Sequence, residues 1–201
     1  LSRCLQVPMP PRVACTVPEG FAYYGVHPLA YDASVSAHLR RDRPSRVLVV
    51  GLRTIGATLA AIVAARCDRD GVPARVLTVR PRGHPFDRRC EVDEAWRQDV
   101  ARQPGAQCYV VDEGPGLSGS SLTSVAALLE ALGHPRERIA LVCSHDPDPA
   151  TFRSAQARQR WPLHERLVAS IRAPRLADDW SGGQWRARRG WPQGAWPAVQ
   201  P

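Results

Sequence analysis

Asp112 and Glu113 stand side by side and run straight into Gly114-Pro115-Gly116-Leu117-Ser118-Gly119-Ser120-Ser121. Small residues let backbone N–H groups face a ligand without Cβ obstruction, and the apolar, helix-spaced residues that follow put these amides at a helix N-terminus. Unpaired donors and the positive end of the helix dipole there stabilise a bound anion. The chemistry expected of this stretch is the holding of a phosphate by amides and hydroxyls. The two carboxylates cannot serve that phosphate, because like charges repel. Vicinal sugar hydroxyls or a hydrated magnesium ion suit them.

A second candidate lies at Gly51-Leu52-Arg53-Thr54-Ile55-Gly56, another strand-to-helix turn, where the Arg53 fork can grip two phosphate oxygens at once. A tight turn carrying a surface arginine fits this stretch as well. Residues 80–89 form a loop dense in Arg and Pro, including Arg80, Arg82 and His84, which also reads as a solvated basic turn. His145 and Asp146 follow a strand-like run and are candidates to touch a second ligand. The following Pro147-Asp148-Pro149 reads equally as a helix-starting turn.

Two rival readings of the central stretch are open. Acid pairs at strand ends also serve as helix caps or solvated turn residues. A Rossmann-type loop is nearly spelled by Gly114 to Gly119, but with the acids on the wrong side. A Walker-type loop is excluded, since its lysine is missing.

The elements that must position these groups can be read from hydrophobic runs. Cys108 to Val111, flanked by polar residues and the acid pair, predicts a buried parallel strand, and Leu122, Val125, Leu128, Leu129 and Leu132 predict a helix that Gly133 stops. Further strands are expected at 46–51, 74–80 and 138–144, with helices at about 28–41, 57–67 and 151–160 and a short helix or returning ribbon at 91–101. Four strands alternating with helices, joined by right-handed crossovers, give an α/β fold: an open, mainly parallel sheet flanked by helices. We expect one domain over residues 1–201 with its core at about 44–160. Accessory segments would be 1–43, including a Pro-rich N-terminal arm, and 161–201, a Trp-rich C-terminal extension. Tyr23 and Tyr24 are read as packing residues in preference to ligand-stacking ones. The Trp residues at 180, 185, 191 and 196 are likewise read as packing rather than base stacking.

The chain of 201 residues has a formal charge of +8, and all 27 of its basic residues are arginine. A basic surface suits a pyrophosphate ester; it would suit nucleic acid too, so the balance alone does not decide between them. Its six cysteines, at 4, 15, 67, 90, 108 and 143, form no C-x-x-C pair and sit with no His at metal spacing. Cys108 and Cys143 fall in strand-like runs, as small buried hydrophobes do, and the expectation is a reduced cytoplasmic protein. No long apolar run or leader points to a membrane. Opening on Leu1, the chain is expected to be processed or cut from a longer protein.

From Tyr109 to Ser121 the chain resembles the type I phosphoribosyltransferases, which bind 5-phosphoribosyl-1-pyrophosphate through a hydrophobic strand, two acids and a small-residue loop. The resemblance implies a phosphoribosyltransferase-like fold and transfer of ribose 5-phosphate to a nitrogenous acceptor, with Mg2+ and release of pyrophosphate. It gives Asp112 and Glu113 the ribose hydroxyls and the catalytic role, and gives Gly116, Leu117, Ser118, Gly119 and Ser120 the 5′-phosphate. It assigns the pyrophosphate to Arg53 and Thr54, with Arg80 and Arg82 on a mobile loop that closes over the substrate. His145 and Asp146 are then the acceptor candidates, and no residue is assigned directly to the metal. Glu replaces the commoner second Asp, and Gly114-Pro115 replaces a usually apolar pair, so the acceptor stays unassigned. The implied partners are the phosphoribosyl donor and a small-molecule acceptor, with a homodimer as an option. A non-catalytic domain that senses this donor or a nucleotide is the alternative.

Overall fold

The computed structural model describes residue 21 and residues 26–169. The N-terminal arm, Tyr23, Tyr24 and the Trp-rich extension from Pro174 lie outside the described residues. Strands β1 (Val47–Leu52), β5 (Gln107–Val111) and β6 (Ile139–Cys143) are buried at every position. Such uninterrupted apolar runs mark strands that are covered on both faces. They stand at the middle of a parallel sheet, with β2 (Ala74–Val79) beside β1 and β7 (Glu165–Val168) beside β6, in the order β2-β1-β5-β6-β7. Register places Gly51 opposite Val111, and Val111 opposite Val142, so the carboxyl ends of the central strands align.

Alternate side chains feed two cores. Val47, Val49, Tyr109, Val111 and Val142 face α1 (Pro28–Asp42) and α2 (Ile55–Arg69). Leu48, Val50, Cys108, Val110 and Leu141 face α4 (Ser120–Ala131), Phe152 and Trp161. The stripe Tyr31, Val35, Leu39 recurs every four residues, which puts it on one face of α1. Gly56 lets α2 start against the end of β5, since a Cβ there would lie 2.4 Å from the Val111 carbonyl oxygen. Cys67, Cys108 and Cys143 are free and buried, and burial pushes each thiol up to about 12. They behave as small hydrophobes.

The α/β expectation is met, with a fifth parallel strand added to the four. The packed core extends beyond 44–160 at both ends, because α1 covers one face and β7 extends the sheet. β7 was illegible because it is a short edge strand, with only Leu167 buried. Residues 80–89, expected as a loop, contain a two-stranded antiparallel ribbon, β3 (Arg82–His84) with β4 (Asp87–Arg89). Residues 91–101 resolve to helix α3 (Glu94–Ala101), capped by Asp93. The helix expected over 151–160 is instead a 3-10 turn, Pro149–Thr151, and α5 (Ala155–Arg160), which starts where Ser154 caps Ala157 N–H. Phe152 interrupts them because its ring is drawn into the core.

Candidate functional site

Asp112 and Glu113 leave the end of β5 with their backbone fixed on three sides. Asp112 N–H donates to the Val142 carbonyl (3.2 Å), Ser144 N–H donates to that of Glu113 (3.1 Å), and the Tyr31 hydroxyl donates to both carbonyls, at 2.9 and 3.1 Å. Tyr31 is fully buried on α1, and burial holds its phenol far above the ordinary range, so it remains a donor. The side chains have opposed surroundings. Burial first, then the hydrogen bond and negative charge of Glu113, push the Asp112 carboxyl well above the usual carboxylate range. Backbone N–H groups of Glu113 and Gly56 oppose that shift without cancelling it. Asp112 thus resists ionisation, and hydroxyl donors or a cation arriving beside it would relieve that resistance.

The loop after the acids folds back onto α4. Gly119 N–H donates to the Pro115 carbonyl (2.9 Å), and Gly119 caps α4 in the left-handed region at φ 65°. A Cβ at Gly119 would approach the Phe152 ring to 2.9 Å, so glycine is demanded here by conformation and by packing together. Ser120 N–H donates to Ser118 Oγ (3.2 Å), and Ser120 Oγ donates to the Pro85 carbonyl (2.8 Å), tying the β3–β4 ribbon to the loop. Gly114 passes beneath the His145 ring, where a Cβ would lie 3.0 Å from Cε1. Ser144 Oγ and His145 Nδ1 are 2.9 Å apart.

These parts surround a cleft of about 510 Å³ at the carboxyl edge of the sheet. Of the expected residues, Asp112, Glu113, Gly116, Leu117, Ser118 and His145 line it. Gly119 and Ser120, the cap and first residue of α4, stand outside the lining. Arg53 and Thr54 sit on the β1–α2 turn, which reaches Asp112 through Gly56; the peptide between them is cis. Arg53 Nε donates to Thr78 Oγ1 (3.2 Å), and Arg80 Nη2 stands 3.5 Å from Thr54 Oγ1, so the exposed Arg53, Thr54 and Arg80 form one group outside the cleft's lining. Arg82 is exposed on β3. His84 accepts from Phe86 N–H (3.2 Å) and so shapes the ribbon's turn. Asp146 is placed outside the cleft's lining. Its carboxylate accepts from Trp161 Nε1 (2.7 Å) and Arg166 Nε (3.2 Å), contacts that anchor β7 and α5.

Ser121, at the end of the expected phosphate stretch, lines the cleft too, whereas sequence reading missed Pro85, Phe86 and Arg88, which reach it from the ribbon, and Ser144. Phe86 was the legible signal, an aromatic in the middle of a polar, arginine-rich stretch. Tyr31 gave none, because it meets the acids 81 positions away.

No family model and no curated protein matches the sequence. Among solved structures the chain is similar to the hypoxanthine-guanine phosphoribosyltransferase of L. donovani, at 13% identity over 70% of this chain and 76% of that one, with a TM-score of 0.48. It is similar also to the adenine phosphoribosyltransferase of Giardia lamblia complexed with 9-deazaadenine, at 21% identity, 70% and 78% coverage and a TM-score of 0.48. A purine phosphoribosyltransferase from Pyrococcus horikoshii shares 16% identity over 59% of this chain and 74% of that one, with a TM-score of 0.38.

Proposed function

We propose that the protein transfers ribose 5-phosphate from 5-phosphoribosyl-1-pyrophosphate to a nitrogenous acceptor. The observation that carries this reading is the meeting, in one cleft, of an acid pair, Asp112 buried and Glu113 half-buried, with a serine and glycine loop at the N-terminus of α4. Phosphate is held by the amides and hydroxyls of residues 116–120. The ribose hydroxyls then fall to Asp112 and Glu113, which accept hydrogen bonds from them. Arg53 and Thr54, with Arg80 and Arg82, take the pyrophosphate.

In the reaction, the bond from ribose C1 to the pyrophosphate oxygen breaks and its electron pair leaves with pyrophosphate. Positive charge grows on the sugar, and the adjacent carboxylates stabilise it most where water is excluded. The acceptor nitrogen forms the new bond at C1 and gives up a proton. His145, whose ring lies against Gly114, is assigned here as the acceptor contact, and the proton passes to it or to solvent. Magnesium fits the residues present, because two neighbouring carboxylates offer the hard oxygen donors it prefers. Asp112 and Glu113, with the substrate's phosphates, would hold it, and it would neutralise the leaving pyrophosphate.

The test is magnesium-dependent pyrophosphate release from the donor with a panel of nucleobases, alongside calorimetric binding of the donor alone. Release with at least one base is the expected result. Binding without release from any base assigns a sensing role to the same cleft, and absence of binding overturns both.

A further inference from the structure

We propose that His38, Asp42 and Glu165 form a binding site for a zinc-class divalent cation, at the end of the sheet opposite the cleft. The three residues join the last turns of α1 to the first residue of β7, and their ligand atoms all lie within 4.8 Å of one another. His38 Nε2 stands 3.1 Å from Glu165 Oε2 and 3.3 Å from Asp42 Oδ2. A tetrahedral ion with bonds of about 2.0 to 2.1 Å separates its ligands by roughly 3.3 Å, so the two distances from His38 match edges of a zinc shell. A single N–H on Nε2 cannot satisfy both carboxylates well. One cation bonded to all three ligand atoms serves them together.

The surroundings have the form of an outer shell. The His38 ring is buried and its Nδ1 lies 2.9 Å from the buried Tyr109 hydroxyl, which meets it edge-on at 5.4 Å between ring centres. A metal-bound imidazole is oriented by such a partner on its second nitrogen. Arg41 Nε donates to Asp42 Oδ1 (2.5 Å) and its Nη2 to Glu165 Oε1 (2.7 Å), which leaves the other oxygen of each carboxylate turned toward His38. Arg41 Nη2 also lies 3.2 Å from Asp42 Oδ2, a weaker contact that the ion would displace. Two carboxylates match the ion's charge, and the imidazole favours zinc over magnesium.

The consequence is a staple between two elements at the margins of the core. α1 carries His38 and Asp42 at one end and, further back, Tyr31 under the acid pair. A filled site would fix the helix that supports the cleft without touching the cleft.

Full-length protein freed of metal with a chelator is titrated with zinc chloride by calorimetry, and its unfolding is followed with and without zinc. Asp42→Asn with Glu165→Gln keeps volume and removes both charges at partly exposed positions. The parent should bind one zinc that the double variant binds at least about tenfold more weakly, and zinc should raise the melting temperature of the parent alone. Equal affinity and equal thermal response in the two proteins overturn the proposal. Anomalous diffraction at the zinc edge from soaked parent crystals needs no substitution: a peak bonded to His38 Nε2, Asp42 and Glu165 is expected. A peak elsewhere, or none, refutes the site even if the variant fails to fold.

Discussion

Asp112 resists ionisation more in the folded protein than in the unfolded chain, so pH acts on the two states unequally. Its ordinary value is 3.8, and burial with the Glu113 charge raises it on folding. Stability tied to this group is therefore full below about pH 4 and is lost as pH rises toward the folded value, because only the unfolded chain ionises freely there. Asp112→Asn removes that loss. The variant should melt near the parent at pH 4 and above it at pH 7.5, by roughly 2–4 °C for each kcal/mol relieved, while pyrophosphate release disappears. A variant that melts lower than the parent at pH 7.5 would show the carboxylate to be stabilising instead. Arg53 supplies a second test at this scale, since it sits on the β1–α2 turn with its Nε on Thr78. Arg53→Ala should weaken 5-phosphoribosyl-1-pyrophosphate binding about tenfold and leave ribose 5-phosphate almost unchanged in calorimetry, as loss of one charged hydrogen bond costs about 1.5–3 kcal/mol. Equal losses for both ligands argue against a pyrophosphate role.

Between elements, the acid pair depends on a helix that never enters the cleft. Tyr31→Phe keeps the ring that fills the core under β5 but withdraws the donor to two carbonyls, which should lower stability by about 1–3 kcal/mol in chemical denaturation. Turnover should fall as well, since the acids lose their fixed backbone; unchanged turnover would show that the remaining strand bonds suffice. Gly119 marks a different junction, where the phosphate loop, α4 and Phe152 meet. Gly119→Val forces a branched side chain into the Phe152 ring at positive φ, so we expect a melting temperature several degrees lower as well as lost phosphate binding. A variant as stable as the parent would contradict that packing. The central strands were legible because full burial writes itself as an apolar run, and the cleft's loop because glycine and serine follow two acids. The ribbon was not, since its three-residue strands are exposed and carry no alternation. Nor was the place of Asp146: its partners Trp161 and Arg166 come from a turn and a strand that the chain reaches later, and no spacing encodes that contact.

At the scale of the molecule, composition and alternation revealed the layered class, whereas the outer limits of the core depended on packing that short edge elements do not advertise. The Trp-rich extension was read as cover for the core. Deleting residues 178–201 should then lower the melting temperature and increase binding of a hydrophobic dye, with no selective loss of acceptor use. Loss of acceptor use at unchanged stability would point to stacking instead. The order of strands in the sheet also has a consequence during synthesis. β1 takes β2 on one side soon after both have been made, but its other neighbour is β5, with Val47 set against Gln107. One edge of Val47–Leu52 thus waits, unpaired, with Val47 standing 60 residues ahead of its partner Gln107 (107 − 47 = 60). That interval exposes an apolar edge able to pair with other chains, and late long-range pairing makes folding slow. Yield of soluble protein should accordingly depend on translation speed and chaperone supply around β5, well before the cleft exists.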